Sequence, residues 1–175
     1  MSSPTRTLVL GLGNECAGDD AVGPLAVRAL RGIADGEADI VETASSGLAL
    51  LDEFEGYDRA IVVDAILTGC NVPGTIIEFT FDELGPGTAP SLHQAGLPEL
   101  AAMAARFGLR FPAEVRVIAV EVAGAPVFGA LMSKDVAGAV AAAAERARDQ
   151  LRRWAAEDGR LYEGGESGSC TTTTP

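Results

Sequence analysis

The sequence predicts an α/β fold built on a mixed, mostly parallel sheet. Short apolar and β-branched runs alternate with segments whose apolar residues recur at helical spacing, the pattern of strands and helices in such a fold. The connection between predicted strands 59–65 and 75–81 is shorter than the dozen or so residues that a parallel return needs. We therefore expect the 75–81 strand to run antiparallel to the 59–65 strand or to lie at the sheet edge. The predicted strands are 7–12, 39–43, 59–65, 75–81 and 115–122.

Helical periodicity appears in four places: after the first strand, after the second strand, over residues 98–107, and after Ser133. Serine is a common helix cap, so we expect Ser133 to begin the last helix. Gly108 follows the third helix and is expected to end it. The apolar positions expected to face the core include Leu25, Ala29, Ile33, Leu48, Leu51, Phe54, Phe107 and Trp154.

The chain of 175 residues is 47% hydrophobic, which is enough to bury one substantial core. We expect a single domain over residues 1–162. The polar, glycine-rich and threonine-rich residues 163–175 have little to bury, so we expect a disordered tail there.

The charge balance argues against a nucleic-acid partner. Thirteen basic residues face 25 acidic ones, a formal net charge of −12, and such a field repels phosphate backbones. Cys16, Cys70 and Cys170 form neither a disulfide framework nor a zinc-binding pattern, which fits a reducing compartment. The sequence contains no signal peptide and no apolar run long enough to span a membrane, so we expect a cytoplasmic protein.

The run 8–23, L-V-L-G-L-G-N-E-C-A-G-D-D-A-V-G, reads as a strand, a glycine turn and a helix start. The third glycine of the dinucleotide fingerprint is missing, so we expect no dinucleotide and no other organic cofactor. Asp19 and Asp20 follow the turn, where α/β proteins bind ligands. An aspartate here can simply cap the helix, but two are more than one cap requires.

Asp64 closes the most clearly predicted strand, R-A-I-V-V-D-A. A buried carboxylate is costly unless it is paired, hydrogen-bonded or bound to a cation. A turn-forming aspartate that bonds its own backbone is the alternative interpretation. Since parallel strands end at one edge of the sheet, a functional role is the better hypothesis.

His93, the single histidine, lies in S-L-H-Q-A-G-L just before a helix. A lone histidine is more often structural than a ligand. Together with two carboxylates, however, one imidazole would suit a borderline divalent metal such as nickel, zinc, iron or manganese. Ser45 and Ser46 are weak nucleophile candidates, because no G-x-S-x-G elbow is present.

Four motifs in register resemble the hydrogenase maturation proteases, the endopeptidases that trim the large subunit of [NiFe] hydrogenases. They are G-L-G-N at 11–14, D-D-A-V-G at 19–23, V-V-D-A at 62–65 with N-V-P-G-T after it, and S-x-H-Q-x-G-L at 91–97. The similarity runs in order from about residue 8 to residue 97 and more weakly through the last helix. The loop 15–18 is more polar here than the family pattern.

The resemblance implies a three-layer α/β/α sandwich around a five-stranded sheet with one antiparallel strand. It places the family's three metal-contacting residues, which also carry the catalysis, on Asp20, Asp64 and His93. Asp19 is then expected to be the helix cap, and Gly47 matches a glycine near the cleft. The nickel would be supplied by the substrate, a large-subunit precursor whose short C-terminal extension the enzyme removes.

Two other functions remain open on the sequence. One is a metallopeptidase or amidase that keeps its own metal, and the other is a nickel-dependent chaperone that binds the precursor without cutting it. The expected partner is the hydrogenase large-subunit precursor, with no nucleic acid and no membrane, and the protein is expected to be a monomer.

Overall fold

Five strands form one sheet in the order β2-β1-β3-β5-β4. The computed structural model describes residues 5–32, 34, 36–83 and 96–163, without the side chains of 160–163. Ile33, Cys170 and the predicted tail, apart from Glu163, lie outside the described residues. The strands are β1 (Thr7–Leu12), β2 (Asp39–Thr43), β3 (Arg59–Ile66), β4 (Ile76–Thr80) and β5 (Glu114–Glu121), and the helices are α1 (Val22–Arg28), α2 (Leu50–Phe54), α3 (Leu97–Phe107) and α4 (Lys134–Glu163).

Strand β4 is the edge strand of the sheet. It is antiparallel and lies at the sheet edge, as expected, but it pairs with β5, with Phe79 opposite Val117. Strand β5 returns later in the chain and takes the place beside β3 in a parallel register. Because β4 is antiparallel to β5, it also runs antiparallel to β3, so both predicted features are confirmed. The short connection after β3 therefore reaches over β5 to the sheet edge.

Side chains alternate across the sheet and divide the core into two layers. On one face, Val9 and Ile61 pack with α1 and α4. On the other face, Leu10 and Val62 pack with α2 and α3. The architecture is therefore the expected three-layer α/β/α sandwich around a five-stranded sheet with one antiparallel strand.

Helix α1 lies directly on β1 because glycines occupy the contact. A Cβ atom on Gly11 would come within 2.6 Å of the Gly23 carbonyl oxygen, and one on Gly23 within 2.2 Å of the Leu12 oxygen and 2.5 Å of the Val63 oxygen. No side chain fits there. Gly11 in β1 and Gly23 in α1 thus allow close packing of helix and sheet, which brings the start of α1 to the ends of β1 and β3.

Three predicted core positions are wrong. Leu48 is 56% exposed and Phe107 is 63% exposed, and Ala29 is exposed as well. Ala29 caps the C-terminus of α1, Phe107 is the last residue of α3, and Leu48 lies in a 3-10 helix before α2. None of them is inside a regular α-helix, where the predicted periodicity applies. Trp154, Leu51 and Phe54 are buried as predicted.

The last helix starts as the sequence indicated. The Ser133 hydroxyl accepts a hydrogen bond from the Val136 amide at 3.4 Å, and α4 then runs to Glu163, the first residue of the predicted tail. Gly108 ends α3 in the left-handed conformation, with φ of 70°. No helix in the described part of the chain is long and apolar enough to cross a membrane.

Candidate active site

Three buried carboxylates lie at the carboxyl edge of the parallel strands. Asp20 follows β1 and is 2% exposed, Asp64 lies in β3 and is 1% exposed, and Glu121 ends β5 and is fully buried. They are the buried acidic residues among those the structure describes. Because β1, β3 and β5 are adjacent and parallel, the fold collects three acids from distant parts of the sequence at one edge.

Asp20 lies in a 3-10 helix, Gly18–Ala21, between β1 and α1. Its Oδ2 accepts a hydrogen bond from the Asn14 amide at 2.7 Å. Gly13, with φ of 141°, packs so closely that a Cβ atom there would lie 1.8 Å from the Asp20 carbonyl oxygen. The turn after β1 therefore fixes the Asp20 backbone and orients its carboxylate.

Asp19 does not cap the helix, so that prediction is wrong. Its Oδ1 accepts a hydrogen bond from the Ser133 amide at 2.6 Å, and neither the 3-10 helix nor α1 has a side-chain cap. The reason is local: the chain enters α1 from a 3-10 helix already in helical conformation, so the extended position that a capping side chain needs is absent. Asp19 instead ties the start of α1 to the segment before α4.

Asp64 lies inside β3, on the face that packs with α2 and α3, since it alternates in step with Ala60 and Val62. Its Oδ1 accepts a hydrogen bond from the Ala65 amide at 2.7 Å. The alternative interpretation, an aspartate that bonds the local backbone, is therefore correct for this one hydrogen bond. A bond from a neighbouring amide orients the carboxylate but does not neutralise its charge.

Glu121 is the site-edge residue that the sequence reading missed. Its carboxylate accepts hydrogen bonds from the amides of Thr68 and Gly69 at 2.8 and 2.9 Å and from the Thr68 hydroxyl at 2.5 Å. Burial raises the pKa of Glu121, but these bonds and one from the Asn71 side chain outweigh burial, so its pKa lies below the ordinary value. The glutamate thus holds the connection after β3. An acidic residue at the end of a predicted buried strand was the feature of the sequence that could have identified Glu121.

His93 lies outside the described residues, so its predicted role stays a prediction. The helix that follows it, α3, begins with Leu97, which is buried in the core on the same face of the sheet as Asp64. Among the described residues, no three histidine, cysteine or acidic side chains form a metal-binding group. Asp20 and Asp64 have the chemistry of two ligands for a borderline divalent metal or of a general base.

The polar loop 15–18 is held by charge. Glu15 and Glu42 both form ion pairs with Arg28, which joins the loop to α1 and β2. The Arg28 pKa is raised by these two carboxylates. Part of the polarity that distinguishes this loop from the family pattern therefore has a structural role.

A cavity of about 110 Å³ opens beside Asp20. Ala17 to Asp20 form one wall, and the segment between β5 and α4, including Val127 and Leu131, forms the other. This volume could hold about one amino-acid side chain and is smaller than that of a typical cofactor pocket.

The remaining residues singled out from the sequence lie on the surface. Cys16 and Cys70 are exposed free thiols. Gly47 has φ of 58° at the start of a 3-10 helix, a conformation that favours glycine. Its place near the cleft stays a prediction.

Comparison with known proteins agrees with the motifs. A family model described as HycI, hydrogenase maturation protease, matches residues 26–150. The chain is 34% identical to the hydrogenase 2 maturation protease of Escherichia coli over 119 residues, 66% of this chain and 72% of that one. It is 33% identical to the hydrogenase expression/formation protein HupD of Rhizobium leguminosarum bv. viciae over 154 residues, 85% of this chain and 75% of that one.

Solved structures give the same answer. The hydrogenase maturating endopeptidase HybD from E. coli superposes with a TM-score of 0.73 at 28% identity, covering 85% of this chain and 93% of that one. The [NiFe] hydrogenase maturation protease HybD from Thermococcus kodakarensis gives 0.65 at 28% identity, covering 84% and 99%. With its motifs, its mixed five-stranded sheet and these similarities, the chain belongs to the hydrogenase maturation protease family, which makes it an endopeptidase.

Proposed function

We propose that this endopeptidase removes the C-terminal extension of a [NiFe] hydrogenase large-subunit precursor that already carries nickel, and that Asp20, Asp64 and His93 engage the nickel of that precursor. The observation that carries the proposal is the pair Asp20 and Asp64. Both are nearly fully buried and both lie at adjacent ends of β1 and β3, where a bound cation would stabilise two buried carboxylates.

The reaction is hydrolysis of one peptide bond. A water oxygen attacks the scissile carbonyl carbon, a carboxylate accepts the water proton, the C–N bond breaks, and the leaving nitrogen takes up a proton. The substrate's nickel would orient the precursor and polarise the scissile carbonyl. Asn14 and Gly13 support this chemistry indirectly, because they fix the position of Asp20.

We also propose that the protein acts as a monomer in the cytoplasm, on a protein substrate only. The acidic surface supports this, since a net charge of −12 opposes both self-association and binding to nucleic acid.

The deciding experiment measures the mass of the precursor C-terminus after mixing with the enzyme, with and without nickel loaded into the precursor. We expect loss of one discrete C-terminal fragment from the nickel-loaded precursor alone. Cleavage of generic peptides by an enzyme purified with its own metal would instead indicate a self-sufficient metallopeptidase. Nickel-dependent binding without any mass change would indicate a chaperone and would contradict the proposal.

A further inference from the structure

We propose that Val127, Phe128 and Leu131, here called the apolar lip, dock an apolar segment of the precursor next to the scissile bond. The inference rests on the proposed function and adds to it the surface that selects the substrate. It concerns the segment between β5 and α4, which the sequence motifs do not cover.

The lip exposes large apolar side chains to an unusual degree. Val127 is 62% exposed, Phe128 80% and Leu131 94%. Among the described residues, six large apolar side chains are more than half exposed, and three of the six lie within residues 127–131. Single exposed apolar residues are ordinary, but a contiguous group marks an interaction site.

The lip is displayed by an ordered backbone. The Gly129 amide donates to the Cys16 carbonyl oxygen at 2.6 Å, and the Ala130 amide donates to the Val127 oxygen at 3.1 Å. The segment is closed by the bond from the Ser133 amide to Asp19, and Met132 packs against the core formed with α1 and α4. These hydrogen bonds fix the backbone that displays the three side chains. Less conformational entropy is therefore lost when the segment binds a partner.

The lip is continuous with the candidate active site. Val127 and Leu131 line the cavity whose opposite wall contains Asp20. At Gly18, the two walls approach so closely that a Cβ atom would lie 3.4 Å from the Ala130 side chain. A peptide whose scissile bond lies at Asp20 would therefore pass over the lip.

The size and charge of the cavity define the occupant. Its volume of about 110 Å³ suits one apolar side chain, whereas small-molecule sites measure about 300–1,000 Å³. Asp19 and Asp20 on its wall disfavour anionic groups. The occupant is thus a polypeptide segment that presents a large apolar side chain and no acidic residue beside the cleavage position.

The test compares the double variant Phe128→Ala/Leu131→Ala with Phe107→Ala. Phe107 is also exposed, at 63%, but it ends α3 close to the start of β5, at the opposite edge of the sheet. For each protein, kcat and KM are measured for nickel-loaded precursor. The Kd for the uncut precursor is measured by adding Asp64→Asn to each, so that binding is read without cleavage.

We expect KM and Kd to rise by about tenfold for the double variant, with kcat nearly unchanged, as follows from losing two partly buried apolar contacts. The Phe107→Ala control should match the parent. Unchanged KM and Kd in the double variant, or an equal rise in the control, would overturn the docking proposal while cleavage still supports the proposed function.

Two further outcomes are decisive. If no precursor is cut by the parent protein, the proposed function fails, and Kd alone then decides whether the lip binds the precursor. If sedimentation finds the parent dimeric and the double variant monomeric, the lip is covered by a second copy of this chain, and the proposal is wrong.

Discussion

The buried acidic residues at the carboxyl edge of the parallel sheet differ from the surface acidic residues at its amino edge. At the amino edge, acids pair with arginines near the surface: Asp58 with Arg110 at 2.6 Å, and Asp158 with Arg59 at 3.0 Å. At the carboxyl edge, Asp20, Asp64 and Glu121 are at most 2% exposed and accept hydrogen bonds from backbone amides.

The two groups of acidic residues differ in the kind of partner that their carboxylates have. An arginine partner compensates the charge of a carboxylate, and an exposed pair such as Asp58 with Arg110 contributes little to stability. An amide donor orients a carboxylate while leaving its negative charge in place. In the proposed function, the oriented carboxylates of Asp20 and Asp64 are the groups that we expect to contact the cation of the substrate.

The largest expected effect comes from the carboxyl edge. Asp64→Asn keeps the shape of the side chain but removes its charge, so processing of the precursor should fall by about a thousandfold or more, in the upper range for loss of a general base or metal contact. Asp58→Asn, its counterpart at the amino edge, should process the precursor normally. Both are measured by the mass shift of the precursor C-terminus, with circular dichroism to verify folding. Normal processing by Asp64→Asn would remove that residue from the site.

The close packing at the carboxyl edge gives the next largest effect. Gly23→Ala places a Cβ atom 2.2 Å from the Leu12 carbonyl oxygen, so helix and strand must separate, and the free energy of unfolding should fall by about 2–4 kcal/mol. Gly138→Ala lies in α4 with open space around it and should raise that energy by about 0.5–1 kcal/mol. Denaturant titrations measure both. Equal effects at the two positions would contradict the packing described for α1.

Glu121 should make stability depend on pH. Its pKa is lowered in the folded protein, so its stabilising contribution is present above the unfolded value, about 4.3, and is lost as the pH falls through the lowered pKa. At pH 7, Glu121→Gln should cost about 1–3 kcal/mol, the range for buried charged hydrogen bonds. The difference in unfolding free energy between the variant and the parent should then disappear at acidic pH.

The matched control for this titration is Glu114→Gln. Glu114 is half-buried at the amino edge, where it pairs with Arg59 and Arg116, and we expect a smaller change at pH 7. Unfolding curves recorded from pH 7 down to pH 3 distinguish the two variants. A gap for Glu121→Gln that stays constant over this range would refute the pH dependence.

The smallest effect is expected at the surface of the site loop. Arg28→Gln removes the ion pairs with Glu15 and Glu42, yet Arg28 is exposed, so the melting temperature at physiological salt should hardly change. A small decrease should appear only at low ionic strength, where such pairs are least screened. A large loss of stability in high salt would mean that these charges hold the loop by more than surface pairing.

The sequence was sufficient wherever local pattern decides structure. The strand boundaries at 7–12 and 39–43 agree with the structure because β-branched and apolar runs end at glycine or polar turns. The same reasoning placed Asp20 and Asp64 at one edge, because parallel strands end together.

Long-range partners could not be read from the sequence. The bond between Asp19 and Ser133 joins residues 114 positions apart, and nothing near Asp19 indicates it. The pairing of β4 depends on β5, a strand that appears later in the chain. Glu121 differs from these two, since the argument applied to Asp64 would also have found it.

The way the apolar lip is attached has a consequence for divergence within the family. The bonds that hold its segment use the Gly129 and Ser133 amides, so the outward side chains at Val127, Phe128 and Leu131 can be replaced without disturbing the scaffold. If the lip docks the precursor as proposed, mutation here would change substrate preference with little effect on folding. Grafting residues 124–131 between relatives should accordingly transfer their preference for one hydrogenase over another.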